Sequence, residues 1–130
     1  TTVIDQHVKG NFFISFFQEK IEKDFEIRTF YLNGKCWSMA IFSQKDQQTK
    51  VDYRKYNDKK PNRNVPYKLP DSIEQKIYQL MQSLDLNCGS IDFIKRNNTF
   101  YFLEVNPIGQ FLNVSRSCNY LLDRKIAEYL

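Results

Sequence analysis

Glycine and proline are scarce, four of each in 130 residues, and there is a single histidine, His7. So few chain-breaking residues exclude a collagen-like repeat and a Pro/Gly-rich disordered tract. No convincing Ser-His or Cys-His pair for nucleophilic catalysis can be assembled, and His7 reads as structural or exposed. Long hydrophobic runs are also missing. The longest nearly apolar stretch, Phe12 to Phe17, already contains Ser15 and falls far short of the ~20 residues that a membrane-spanning helix needs. Thr1 to Gly10 includes Asp5, His7 and Lys9 and has no basic start followed by an apolar stretch, so no secretory signal is visible. No methionine opens the chain, and residues upstream of Thr1 are expected to have been lost. Cysteine is confined to Cys36, Cys88 and Cys118, without the paired spacing of a zinc site. These read as reduced, mostly buried thiols of a cytoplasmic protein.

What is present is the composition of one folded domain: 42% apolar, 26% charged and 15% aromatic residues, in a length that allows one core. Nineteen Lys and Arg against fifteen Asp and Glu give a net charge of +4. That mild excess suits a phosphate-binding or acidic-peptide-binding surface and is equally ordinary for a soluble domain.

Periodicity predicts three strands early in the chain, over Phe12–Gln18, Phe25–Leu32 and Trp37–Ser43. Asn33-Gly34 between the last two is a hairpin signal, which makes them antiparallel neighbours. From Lys45 to Lys68 the composition turns polar, with a short apolar island at Val51 to Tyr53. We expect residues 45–70 to form a long flexible loop, crossed by one short strand. Asp71 with Glu74 makes a capping box, and Ile73, Ile77, Leu80, Met81 and Leu84 follow helical spacing, so a helix is predicted over Asp71–Leu84. Strands over Ser90–Lys95 and Phe100–Val105 follow, joined by Arg96-Asn97-Asn98. A closing helix is predicted over Ser117–Leu130, with Leu121, Leu122, Ile126, Tyr129 and Leu130 on its apolar side. The class is α+β with a largely antiparallel sheet and two packed helices.

The second hairpin carries the most chemistry. Asp92 sits inside an apolar strand, which is costly unless the carboxylate is paired or metal-bound. Glu104 and Asn106 are two residues apart and therefore share a strand face, and the hairpin folds that face against Asp92. Three hard oxygen donors suit Mg²⁺; the competing reading is a pair of carboxylates satisfied by local Lys or Arg. Around Gln18-Glu19-Lys20-Ile21 and Asp24 to Arg28, Glu19 and Glu26 flank a connection and Arg28 shares a face with Glu26. A guanidinium offers a planar fork for phosphate or carboxylate, although a solvated hairpin end with local ion pairs explains the same residues. Asp52-Tyr53-Arg54-Lys55-Tyr56, with Arg63 beyond, interleaves basic and aromatic residues in a way that also suits single-stranded nucleic acid.

Taken together in order, these segments resemble the C-terminal half of an ATP-grasp ligase. Within that superfamily the sequence is similar to the graspetide, or microviridin-type, peptide maturases, in particular those of grasp-with-spasm systems. The segments that carry the resemblance are Phe16 to Lys23, Glu26 to Tyr31, Met39 to Gln44, Asn62 to Tyr67, Gly89 to Phe93 and Leu103 to Phe111, and the ending Cys118 to Leu130 also fits. The resemblance implies an adenine-binding hinge at Gln18, Glu19, Lys20 and Ile21, with Glu26 on the ribose hydroxyls. It further implies magnesium ligands at Asp92, Glu104 and Asn106, and contacts to phosphates or an acyl-phosphate from Arg28 and Arg54. The implied cofactors are ATP and Mg²⁺. The implied reaction activates a side-chain carboxylate of a ribosomal precursor peptide as an acyl-phosphate and closes an ω-ester or ω-amide macrocycle. The implied partners are that peptide and the N-terminal part of the same enzyme; a homo-oligomer is compatible, and no membrane or nucleic-acid partner is expected.

The departure lies at the front, where such ligases carry an N-terminal domain, a glycine-rich loop and phosphate-binding lysines. Lys9, Lys20 and Lys23 do not stand at those upstream places, so this stretch alone is expected to bind nucleotide poorly and to turn nothing over. Other readings are a different ATP-grasp carboxylate–amine ligase, a non-catalytic relative that grips a peptide, and a basic nucleic-acid module built on Tyr53, Tyr56, Tyr67, Arg54 and Arg63. The last leaves Asp92, Glu104 and Asn106 without a role. Lys59, Lys60 and Arg63, in the loop Asp58 to Pro70, could attract an acidic precursor by long-range charge.

Overall fold

A computed structural model describes residues 3–4, 10–11, 13–43 and 62–130. Its centre is a five-stranded sheet, antiparallel throughout, of strands β1 (Phe25–Leu32), β2 (Lys35–Phe42), β3 (Arg63–Tyr67), β4 (Cys88–Arg96) and β5 (Thr99–Asn106) in the order β3-β2-β1-β4-β5. Three helices complete it, α1 (Asp71–Ser83), α2 (Leu112–Cys118) and α3 (Leu122–Tyr129).

The predicted Asn33-Gly34 hairpin is present. Both residues take positive φ, 44° and 83°, as a two-residue turn between twisted strands requires. Alternation along β1 then divides the core. Ile27 and Tyr31 pack with Ile91, Phe93 and the α1 residues Ile77 and Met81 on one face of the sheet. Phe30 and Leu32 pack with Met39, Ile41 and Val114, Cys118 and Leu122 of α2 and α3 on the other. The sheet is therefore covered by helices on both faces, and the second face is the one that carries the candidate site.

Several expectations are corrected. The described part of the first predicted strand, 13–18, has no regular structure; Phe13, Ile14 and Phe16 are each at least 90% exposed. Its apolar residues are consecutive instead of alternating, so neither face of a strand would be sorted from the other. Helix α1 begins one residue after Pro70, which takes the N-cap place with no side-chain cap. The capping box does not form because Pro70 and not Asp71 is the N-cap, which takes Glu74 out of the N3 place that the box needs; its carboxylate accepts instead from Lys68 Nζ at 2.7 Å. The closing helix is two helices, broken where Asn119 and Leu121 adopt left-handed backbone with φ of 53° and 52°. Ser115 Oγ accepts from the Leu122 amide at 2.9 Å and fixes the start of α3, so Leu121 turns outward instead of joining an apolar face. Strand β3 lies inside the stretch read as loop. Its Pro66 is tolerated because β3 is an edge strand, where a missing N–H costs no interior ladder bond. The island Val51–Tyr53, the residues 44–61 of the expected loop, Phe12 and His7 lie outside the described residues.

No helix among the described residues is long and apolar enough to cross a membrane.

Candidate functional site

Strand register decides which polar side chains meet. Arg28 on β1 lies opposite Asp92 on β4, and Asp92 opposite Glu104 on β5. One step along, Ser90 lies opposite Asn106. Since partners directly opposite one another point to the same face, Arg28, Asp92, Glu104 and Asn106 project from one side of three adjacent strands. Glu26, two residues before Arg28, joins them.

Glu104 reaches that face only because β5 is irregular. Phe102 lies opposite Phe93 while Glu104 lies opposite Asp92, which leaves Leu103 as an extra residue in a bulge between them. A bulge of this kind re-aims the side chains that follow it. In an unbroken register Glu104 would oppose Ile91 and point into the core beneath α1.

The two central charges are joined. Arg28 donates from Nε to Asp92 Oδ1 at 2.8 Å and from Nη2 to Oδ2 at 2.7 Å, with side-chain exposures of 15% and 13%. Such a fork against a carboxylate is the strongest form of this ion pair. Asp92, the carboxylate that looked expensive inside an apolar strand, is thus compensated by a residue that the sequence reading placed elsewhere in the site. Glu26 is buried and accepts from the equally buried Lys23 Nζ; the sequence reading named Lys23 only as standing outside the phosphate-binding places and did not foresee this pair. Glu104 is exposed, with no ion-pair partner among the described residues. Asn106 Oδ1 accepts from the Ile108 amide at 3.0 Å, and the Gly109 amide donates to the Asn106 carbonyl at 3.0 Å. These bonds close a tight turn immediately after β5.

Ser90 and Gly109 were also missed. Ser90 is 2% exposed and lies directly under Gly109, where a side-chain Cβ would stand 2.5 Å from Ser90 Oγ and 2.9 Å from the Asn106 carbonyl oxygen. Such a close approach depends on tertiary packing and leaves no local pattern in a sequence. Gln18, Glu19, Lys20 and Ile21 lie on the segment without regular secondary structure that leads into β1, with Lys20 paired to Glu22 at 3.0 Å. Arg54 lies outside the described residues.

Two carboxylates and an amide oxygen on one sheet face make a hard donor set of the kind that Mg²⁺ takes. No cluster of three His, Cys, Asp or Glu residues suited to a metal occurs among the described residues, so a metal here would rely on Asn106 as well as on the carboxylates. The three thiols are free. Burial, aided by Glu74 and opposed by Lys68, pushes the Cys36 thiol up to about 12, so it stays protonated at neutral pH and is no nucleophile. A shallow cavity at the opposite end of this face, lined by Leu32, Lys35, Trp37, Lys125 and Tyr129, contains none of the predicted site residues.

No protein-family model and no curated protein matches the chain. Solved structures do. A RiPP-associated ATP-grasp ligase of Chryseobacterium gregarium, in complex with ADP and a leader and core peptide, is 29% identical over 82% of this chain and 35% of its own, with a TM-score of 0.65. The macrocyclase MdnC of Microcystis aeruginosa, bound with precursor peptide MdnA, is 34% identical over 71% of this chain and 28% of its own, with a TM-score of 0.56. The macrocyclase MdnB of the same organism is 31% identical over 77% and 34%, with a TM-score of 0.60. The chain spans about a third of the length of each.

Proposed function

Because the chain belongs to the ATP-grasp superfamily, alongside its RiPP-associated peptide ligases, we propose that it is the C-terminal part of an ATP-dependent peptide maturase. The observation that carries this reading is the meeting of Glu26, Arg28, Asp92, Glu104 and Asn106 on one sheet face.

In this account the segment Gln18–Ile21 lies along the adenine, and Glu26 receives the ribose hydroxyls once Lys23 yields its hold. Arg28 aims its fork at the phosphates, where a guanidinium stabilises charge that builds on the transferring oxygens. Arg54 supplies a second positive charge there. Asp92, Glu104 and Asn106 would hold Mg²⁺, which when bound neutralises the phosphoryl group. A peptide side-chain carboxylate attacks the γ-phosphorus of ATP, and the bond to the β-phosphate oxygen breaks to release ADP. A hydroxyl or amine of the same peptide then attacks the acyl carbon, loses its proton and expels inorganic phosphate, leaving an ω-ester or ω-amide. No protein nucleophile is needed, in keeping with the protonated Cys36 thiol.

The partners in this reading are a ribosomal precursor peptide and the remainder of the same enzyme. A cytoplasmic location agrees with the free thiols, and a homo-oligomer is compatible.

The test is product analysis on the longer protein with ATP, Mg²⁺ and its precursor peptide. We expect ADP and inorganic phosphate, with the peptide lighter by one water for each ring closed. AMP and pyrophosphate, or ATP consumption that depends on free amino acids while the peptide mass stays unchanged, would contradict the reading; the second result would identify a carboxylate–amine ligase of another kind.

A further inference from the structure

We propose that Arg28 is the resident counter-ion of the metal site and competes with the divalent cation for Asp92, so that the cation binds weakly until a phosphate draws the guanidinium away. This rests on the reading of Asp92, Glu104 and Asn106 as metal ligands.

Both Asp92 oxygens are engaged by Arg28, at 2.8 and 2.7 Å, and the residues are register partners on adjacent strands. The pair therefore forms without any backbone movement and is shielded from water at 15% and 13% side-chain exposure. Arginine is never deprotonated in proteins, so it leaves Asp92 most cheaply by exchanging that carboxylate for another anion. A phosphate is the natural exchange partner, because it offers the same paired oxygens to the same fork.

Charge supports the exchange. Glu104 stands across from Asp92, so a second carboxylate shares this face with the ion pair and favours a divalent ion. Glu26, on the same face two residues before Arg28, is taken up by Lys23. A ligand that withdraws Arg28 raises the cation's affinity, and reciprocity requires the cation to raise that ligand's affinity by the same factor. Nucleotide and metal are then admitted together, and an adventitious cation is held off an empty site.

The test uses Mn²⁺ alone as the probe, without nucleotide, on the longer protein, with free Mn²⁺ read by electron paramagnetic resonance. Arg28→Gln is expected to bind Mn²⁺ about tenfold tighter than the wild type, within the usual range of coupling between sites. Arg28→Lys, which keeps the charge and loses the fork, is expected to fall between them, and Asp92→Asn to bind least. Circular dichroism establishes that each variant is folded, and if Arg28→Gln is not, Arg28→Lys against wild type decides. Arginine variants no tighter than wild type, with Asp92→Asn weakened, overturn the competition and leave the metal site standing. Mn²⁺ binding that is indifferent to Asp92→Asn overturns the metal site itself.

Discussion

Arg28→Ala is expected to lower the free energy of unfolding by up to about 3–5 kcal/mol, the cost of leaving a largely buried carboxylate without its partner. The double variant Arg28→Met with Asp92→Leu should return to within about 1 kcal/mol of the wild type, because two apolar side chains remove both the pairing and the desolvation that it offsets. The midpoint of urea unfolding measures this directly, at an unchanged slope. The contrast between single and double variants separates two roles. If Arg28 and Asp92 were kept for stability, the double variant would be the poorer protein. A fold that does as well without them holds this pair for what it binds.

The second large effect is at Gly109. Adding one methyl there drives it against Ser90 Oγ, 2.5 Å away, and the Asn106 carbonyl oxygen, 2.9 Å away, in a place where Ser90 is 2% exposed and cannot retreat. Overpacking of this kind costs about 1–3 kcal/mol. It should also lift the turn that aims Asn106, since the Gly109 amide bonds to the Asn106 carbonyl at 3.0 Å. Gly109→Ala is therefore expected to lose stability and, in the longer protein, to weaken Mg²⁺-dependent nucleotide binding. Ser90→Gly in the same chain should restore part of both, because it removes one of the two obstacles and leaves the backbone oxygen. A thermodynamic cycle over the two positions gives the coupling, and purely additive effects would contradict the contact.

Much of the frame was legible in local pattern. Asn33-Gly34 announced its hairpin, the apolar spacing of Ile73, Ile77 and Met81 announced α1, and Asp92, Glu104 and Asn106 drew attention as polar groups in apolar strands. What local pattern could not carry were features settled by tertiary contact. The clustered aromatic residues Phe13, Phe16 and Phe17 raise strand propensity, yet strand identity needs a neighbour and a sorted face. Nothing around Asn119 and Leu121 marked the break between α2 and α3, because Ser115 closes it from a turn away. Strand β3 was hidden by Pro66, which an edge strand tolerates. Most telling is Glu104: its spacing from Asn106 placed the two on one face, but only the bulge at Leu103 makes that face the one that bears Asp92. The Arg28–Asp92 bond was likewise invisible, since sixty-four positions separate its ends and only the β1–β4 register brings them together.

The central claim is that this sheet face is a nucleotide and metal site, and the most direct measurement is Mg²⁺-dependent ATP binding by calorimetry on the longer protein. Asp92→Asn and Glu104→Gln are each expected to abolish the Mg²⁺-dependent part of the affinity, while Lys125→Ala, at the cavity on the far end of the same face, leaves it unchanged. Binding that ignores both carboxylates, or that falls with Lys125→Ala instead, would contradict the account.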